Sequence, residues 1–336
     1  MMGMPPHASR TGHWAQINES TCIAGIHFLF WICRIFGKWP FRIMLYPVLG
    51  WYLIAKPDAR AASSNYLLRV NAFATRRLVG SGFNAVFVHF ASFAESILEK
   101  LLLWSGLFEI EKVNFFGHQP LIGHIAERKG CLLICSHLGN LELCRVLSRH
   151  RPGLKMTVLV HTKHAPAFDR LLKQIDPDSQ LDLMQVTEIS PVTAILLAEK
   201  IRQGEFVVVA GDRISVSPNP RVAMASFLGK SAPFPVGPYI LGSILQCPVY
   251  LMFSMRTGAT SEIHFELFRE SILLPRKGRN EILAGLVADY AARLEHYCVK
   301  EPMQWFNFYD FWQLPNRDIN DATRFPRDSR STNHPL

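Results

Sequence analysis

A short apolar run that ends at a histidine constrains the fold more than any other part of the sequence. Residues 131–135 read Cys-Leu-Leu-Ile-Cys and are followed at once by Ser136 and His137. A strand that is apolar on both faces is typical of a parallel sheet covered by helices on both sides. Apolar residues then recur at helical spacing from Leu141 onward. The sequence therefore predicts that His137 lies at the carboxyl end of a parallel strand, where α/β sheets place their ligands.

His137 and Glu142 form the candidate catalytic pair. We expect Asn140 to cap the following helix and Glu142 to lie in its first turn, where a carboxylate is favourable. Residues five apart on one continuous helix would point about 140° apart, so the break between strand and helix is what lets Glu142 reach back. With Glu142 holding one ring nitrogen, His137 would act as a general base on a hydroxyl, and Gly139 would let backbone approach the reacting group. The alternative is a core histidine bonded to a carbonyl, beside a solvated acid.

Composition and charge favour a membrane surface as a partner. The 336 residues allow one large α/β domain with an added segment, or two domains. The chain is 49% hydrophobic and carries a net charge of +9, which together indicate an anionic membrane. We expect no nucleic-acid partner, because no clustered stripe of Arg and Lys with interleaved aromatics is present. The seven cysteines form no Cys-x2-Cys pair, which predicts reduced thiols facing the cytosol and no zinc site.

Residues 21–56 are predicted to be a helical segment at the membrane interface, after a mobile N-terminus of residues 1–20. Trp, Tyr, Lys and Arg alternate there, which is typical of a membrane interface. The two uncharged runs, residues 21–33 and 43–55, are shorter than the roughly 20 residues of a spanning helix. Pro40 and Pro47 are expected to break them. We expect one or two helices lying in or dipping into the bilayer; a single tilted span and a buried helical hairpin are the alternatives.

Residues 57–315 are predicted to form the α/β domain, and residues 316–336 a disordered tail. The first part, residues 57–112, has helical periodicity with a break at Gly80–Gly82. Strands are then predicted at 155–160, 181–186, 206–210 and 248–253, with an antiparallel edge strand at 263–268. Helices are predicted at 119–129, 166–175, 190–203, 236–245 and 279–300. This alternation predicts a mostly parallel sheet flanked by helices on both faces.

Four sequence pieces together resemble a known family. His137-Leu-Gly-Asn-Leu-Glu142 resembles the His-x4-Asp/Glu signature of the lysophospholipid acyltransferase superfamily, and more closely the bacterial lipid A late acyltransferases and their phosphatidylinositol mannoside relatives. Gly211-Asp-Arg213 stands where that family has a strand ending in Asp-Gln. Residues 227–237 match its Phe-Phe-Gly-x-x-Ala-x-x-x-x-Gly loop, and residues 300–306 resemble its Pro-x-Gln-Trp stretch. The resemblance covers roughly residues 25–312.

The resemblance implies a glycerolphosphate acyltransferase-like domain docked on the cytosolic face of the bacterial inner (cytoplasmic) membrane. It implies transfer of a fatty acyl group from an acyl carrier protein or acyl-CoA thioester to a hydroxyl of a lipid or glycolipid, with no metal or redox cofactor. The chain departs from the family in having Arg213 in place of Gln, and His161 to Pro166 in place of Asn-Pro with a nearby Arg. These departures leave the acceptor lipid open.

Basic residues after the predicted strand at 206–210 suggest how substrate is held. Residues 213–261 contain four basic residues and no acid, which suits a phosphate of phosphopantetheine, CoA or a phosphorylated glycolipid. The tetrahedral oxyanion of acyl transfer needs donors. The candidate substrate-binding and oxyanion residues are Gly139, Asn140, Asp212, Arg213, Gly229 and Lys230. The alternatives are a solvated basic loop and a structural Asp212–Arg213 pair.

Two other function classes compete with an acyltransferase. A thioester or ester hydrolase would use water in place of the alcohol, but no Gly-x-Ser-x-Gly elbow is present. A non-catalytic lipid-binding protein would have no need for His137 and Glu142.

Overall fold

The computed structural model describes residues 35, 38–104, 106–144, 154–160, 181–185, 190–214 and 220–313. Its helices are α1 (Lys38–Ala55), α2 (Pro57–Phe73), α3 (Gly82–Trp104), α4 (Gln119–Ala126), α5 (Pro191–Arg202), α6 (Gly237–Leu245) and α7 (Arg279–Lys300). Its strands are β1 (Val113–Phe116), β2 (Leu132–Cys135), β3 (Met156–Val160), β4 (Leu181–Gln185), β5 (Phe206–Ala210), β6 (Val222–Phe227), β7 (Lys230–Pro235), β8 (Val249–Thr257) and β9 (Thr260–Arg269).

A seven-stranded sheet in the order β1-β9-β8-β2-β5-β3-β4 forms the centre of the domain. All neighbouring strands run parallel except β8 and β9, so the prediction of a mostly parallel sheet is confirmed. The prediction that residues 263–268 form an edge strand is wrong. β9 lies between β8 and β1, and β1 is the edge. The four residues of β1 are too few to show a strand pattern in the sequence.

Strand β2 shows why the sheet is covered on both faces. Leu132 and Ile134 face one hydrophobic core, which includes side chains of α2, α6 and α7. Leu133 and Cys135 face a second core, which includes side chains of α3 and α4. Successive strand residues point to opposite faces, so an uninterrupted apolar run requires apolar cover on each side.

Strands β6 and β7 form a separate two-stranded hairpin that we did not predict. Its turn is Leu228-Gly229, and both residues have positive φ, 49° and 75°. Such two-residue turns match the twist of the paired strands, and glycine adopts this conformation without steric cost. Pro233 and Pro235 in β7 argue against a strand in the sequence, but each strand of a two-stranded sheet is an edge, where proline is tolerated.

Helix α1 lies within the segment that we predicted to be interfacial. It continues through Pro47, so the prediction that this proline breaks the helix is wrong. Pro40 is the third residue of α1 as described. Leu49 and Leu53 pack against Val86 and Phe90 of α3, and this packing holds α1 on the domain. Within the described ranges, no helix combines the length and the apolar character that crossing a membrane requires.

Most other predicted elements agree with the structure within a few residues. Ser190 caps α5, because its side-chain oxygen accepts the backbone N–H of Thr193 at 3.1 Å. The helix predicted from Leu141 begins with a 3-10 turn, Leu141–Leu143, and Cys144 is helical; the residues after Cys144 lie outside the described ranges. The helix predicted at 166–175 and both predicted terminal segments, 1–20 and 316–336, lie outside the described residues.

Candidate active site

The candidate active site lies where strands β2 and β5 end. The two strands are parallel neighbours, and Cys135 pairs with Ala210. Both chains therefore leave the sheet at the same edge, and the residues that follow them meet there. This arrangement brings His137, two residues beyond β2, next to Asp212, two residues beyond β5.

His137 and Asp212 form a directly hydrogen-bonded pair. Nδ1 of His137 is 2.8 Å from Oδ1 of Asp212, and the backbone N–H of His137 donates to Oδ2 at 2.7 Å. The Asp212 side chain is fully buried, whereas a quarter of the His137 side chain is exposed. A carboxylate only accepts, so Nδ1 carries the proton and Nε2 holds the lone pair. Among the residues described, none forms a hydrogen bond with Nε2.

The prediction that Glu142 orients His137 is wrong. The ring nitrogen that an orienting carboxylate would hold is bonded to Asp212 instead. Glu142 lies in the 3-10 turn after the loop, and its charge favours the charged form of Lys100 on α3. The sequence did contain a signal for Asp212 as the partner, because Asp212 lies two residues after a predicted buried strand. From the sequence, Asp212 is predicted to be a substrate-binding residue.

The Asp212 carboxylate is held by further donors. The indole Nε1 of Trp305 donates to Oδ2 at 3.0 Å, and the side-chain amide of Asn307 donates to the same oxygen at 3.4 Å. Burial alone would raise the pKa of Asp212, but the attraction of His137 and the hydrogen bonds from it outweigh burial and hold that pKa below its usual value. Asp212 therefore remains a carboxylate although water does not reach it.

The Pro-x-Gln-Trp stretch fixes the loop that carries His137. The backbone N–H of Phe306 donates to the His137 carbonyl at 2.8 Å, and the Gly139 N–H donates to the Gln304 carbonyl at 2.8 Å. Leu138 pairs with Trp305 in an isolated antiparallel bridge between these bonds. Two segments far apart in the chain are thus joined as a short ladder at the catalytic loop.

Arg213 lies at the same sheet edge as His137, as its position after β5 predicts. Its Nε donates to Oδ1 of Asn307 at 3.3 Å, and its Nη2 donates to the Phe306 carbonyl at 3.2 Å. These two hydrogen bonds do not join Arg213 to Asp212, so they do not support the alternative of a structural Asp212–Arg213 pair. Burial lowers the pKa of His137, and the positive charges of Arg213 and then Lys100 lower it further, against the raising effect of Asp212. The effect of Lys100 on His137 could not be predicted from the sequence, because no motif distinguishes this lysine within an apolar helix.

A comparison with known families agrees with this geometry. The profile of the bacterial lipid A biosynthesis acyltransferase family matches residues 108–313, which is more than half of the chain and contains His137, Asp212 and Trp305. The chain belongs to this family. It is therefore an acyltransferase of lipid biosynthesis, as the motif resemblance implied. A search of curated proteins finds no match.

Gly139 and Asn140 have structural roles in this acyltransferase. Gly139 has φ 62°, and a Cβ there would meet the Ser254 carbonyl oxygen at 2.3 Å, so only glycine fits. Its N–H is bonded to the Gln304 carbonyl, so this N–H is not free to bind an oxyanion, and the role of other backbone N–H groups near Gly139 stays a prediction. Asn140 caps the next turn as predicted, with Oδ1 accepting the Glu142 N–H at 3.1 Å. Its buried Nδ2 has no partner among the described residues, which leaves one donor beside the catalytic loop.

Gly229 and Lys230 lie at the turn of the β6–β7 hairpin. The preceding Leu228 N–H donates to Glu295 of α7 at 2.6 Å, which ties the turn to that helix. In the part of the chain that the structure describes, no hydrogen bond joins either residue to His137 or Asp212. Their binding role stays a prediction. Within the same ranges, no three His, Cys, Asp or Glu side chains cluster so that they could hold a metal ion.

Proposed function

We propose that this acyltransferase is membrane-associated and moves a fatty acyl group from an acyl carrier protein or acyl-CoA thioester to a hydroxyl of a lipid or glycolipid. The observation that carries the proposal is the His137–Asp212 pair. A neutral imidazole with a carboxylate on one nitrogen and an open lone pair on the other is a general base for a hydroxyl.

In the proposed reaction, Nε2 of His137 takes the proton of the acceptor hydroxyl as its oxygen attacks the thioester carbonyl carbon. A C–O bond forms and the carbonyl oxygen becomes an oxyanion. When the intermediate collapses, the C–S bond breaks and the imidazolium returns its proton to the departing sulfur, which yields an ester and a free thiol. Asp212 stays ionised throughout and stabilises the imidazolium. General-base catalysis of this kind contributes about 10²–10⁴-fold.

The charges around His137 support an anionic substrate. Arg213 and Lys100 both lower the pKa of His137, so both positive charges act at the catalytic nitrogen. Arginine suits a phosphate because its planar group offers parallel N–H donors. We assign Arg213 to binding a phosphate of the acceptor or of the donor's phosphopantetheine arm, with Asn140 Nδ2, Gly229 and Lys230 as further candidates for the binding site.

Helix α1 supports attachment to a lipid surface. Large apolar side chains along it are exposed, namely Trp39, Ile43, Tyr46, Val48, Trp51 and Ile54. Trp and Tyr beside basic residues such as Lys56 are typical of the boundary between headgroups and acyl chains. We propose that this face lies in the cytosolic leaflet of the bacterial inner membrane.

The test is mass spectrometry of the products formed from an acyl thioester, with and without a bacterial lipid extract as acceptor. The proposal requires acylated lipid and free thiol from the wild-type protein, and their loss in His137→Ala. His264→Ala is the matched control, because His264 is a partly buried histidine that bonds Glu262 on β9 at 2.8 Å. Free fatty acid formed equally with and without lipid would indicate a hydrolase. No turnover in either case would indicate a non-catalytic protein.

A further inference from the structure

A line of buried hydrogen bonds runs from the helical layer to the catalytic pair. The Ser63 hydroxyl on α2 is 2.8 Å from Nδ1 of His89 on α3. Nε2 of His89 is 3.1 Å from the Trp305 carbonyl, and the Trp305 indole bonds Asp212. Ser63, His89, Trp305 and Asp212 are all fully buried. The acyl-transfer steps do not themselves use Ser63 or His89, so this line needs its own explanation.

The proton positions along this line follow from the partners. The Trp305 carbonyl can only accept, so Nε2 of His89 must carry the ring proton. Nδ1 of His89 is then an acceptor, and the Ser63 hydroxyl must donate to it. Burial lowers the pKa of His89 to about 4, so the ring stays neutral near pH 7 and this single pattern is maintained. The Trp305 carbonyl is therefore held by a His89 ring whose hydrogen-bonding pattern is fixed.

The indole N–H of Trp305 bonds Asp212. Oδ2 of Asp212 accepts N–H groups from the His137 backbone, Trp305 and Asn307, whereas Oδ1 faces the His137 ring. Donors on one oxygen withdraw charge from the whole carboxylate and prevent it from rotating. Removing the indole donor would leave more negative charge facing the ring, and a protonated His137 would be favoured.

We propose that Trp305 is a positioning residue that limits the proton affinity of His137 through Asp212, and that Ser63 and His89 hold Trp305 in place for this role. Among the described residues, the charged groups that act on His137 are Asp212, Arg213 and Lys100. The variants below leave all three unchanged. The kinetic consequence rests on the proposed general-base function, but the proton affinity of His137 can be measured without any reaction.

The first experiment compares Trp305→Phe with Trp312→Phe. Trp312 is a matched control, because it lies in the same aromatic cluster and its indole donates to the Phe227 carbonyl at 3.2 Å, away from Asp212. The pKa of His137 is read by NMR titration of ring-labelled histidine, with the signal assigned by its loss in His137→Gln. We expect an upward shift of about half a unit to one unit in Trp305→Phe and none in Trp312→Phe.

Two results would overturn the role of Trp305: no shift in Trp305→Phe, or the same shift in both variants. The acid limb of kcat/KM should move with the titration. A shifted titration in a protein that transfers no acyl group would refute the proposed function and leave the role of Trp305 standing.

A second pair of variants tests the role of His89. This pair also tests the proposal if Trp305→Phe does not fold. His89→Gln keeps an N–H near the position of Nε2, whereas His89→Leu removes it. We expect the His137 titration to shift upward in His89→Leu and to return toward the wild-type value in His89→Gln. Equal titrations in the two variants would show that His89 fills space and does not hold Trp305.

Discussion

Replacing Asp212 by asparagine is the sharpest test of the catalytic pair. The amide has one oxygen and one NH2 group. Three N–H donors face the Oδ2 position, so the amide oxygen is expected there and the NH2 group must face His137. Nδ1 would then have to accept, and the ring proton would move to Nε2. In that tautomer His137 cannot take a proton from the acceptor hydroxyl.

The expected loss follows from these contacts. In the active tautomer, the Nδ1–H of His137 would face the NH2 group of the amide with no acceptor between them. Leaving these buried donors unpaired costs about 1–3 kcal/mol. The imidazolium also loses its carboxylate partner, an attraction of a few kcal/mol at an effective dielectric constant of about 20. Together these terms amount to about 4–6 kcal/mol, which is a decrease in kcat of about 10³–10⁴-fold.

The assay is release of free thiol from the acyl thioester at saturating donor and lipid, with thermal unfolding as a check on folding. Glu142→Gln is the comparison, and we expect it to lose far less activity, because Nδ1 of His137 is bonded to Asp212. If Asp212→Asn lost less than about 10-fold in kcat while Glu142→Gln lost about 10³-fold, the assignment of Asp212 as the orienting residue would be wrong.

Three further outcomes are expected. Since burial and nearby positive charge lower the pKa of His137 below 6.5, kcat/KM should be flat near pH 7 and fall with decreasing pH only below 6.5; a midpoint above 7 would contradict this. Unfolding releases His89 from a site where its pKa is about 4 to one where it is 6.5, so the unfolded chain binds the extra proton. The wild-type protein should therefore lose about 2–3 kcal/mol more stability than His89→Gln between pH 7.5 and 4.5, measured by denaturant unfolding at both values. Trp51→Glu should reduce sedimentation with anionic vesicles, whereas Leu273→Glu, at the same 70% exposure in a loop, should not; equal binding would place attachment elsewhere.

Local patterns in the sequence were enough to predict much of the scaffold. The apolar runs of β2 and β5, the Ser190 cap and the length of α7 depend on neighbouring residues, so periodicity and capping rules apply to them directly. The position of His137 at the end of a strand belongs to the same class of inference. The mostly parallel sheet followed from the alternation of these elements.

The partner of His137 was decided only by the tertiary structure. Glu142 is five residues from His137 in the chain and Asp212 is 75 residues away, yet Asp212 forms the bond, because β2 and β5 are neighbours in the sheet and end at the same edge. Sheet order depends on how whole strands and helices pack, and no local spacing encodes it. The role of Trp305 has the same origin, since three separate segments meet at Asp212 only in the folded chain.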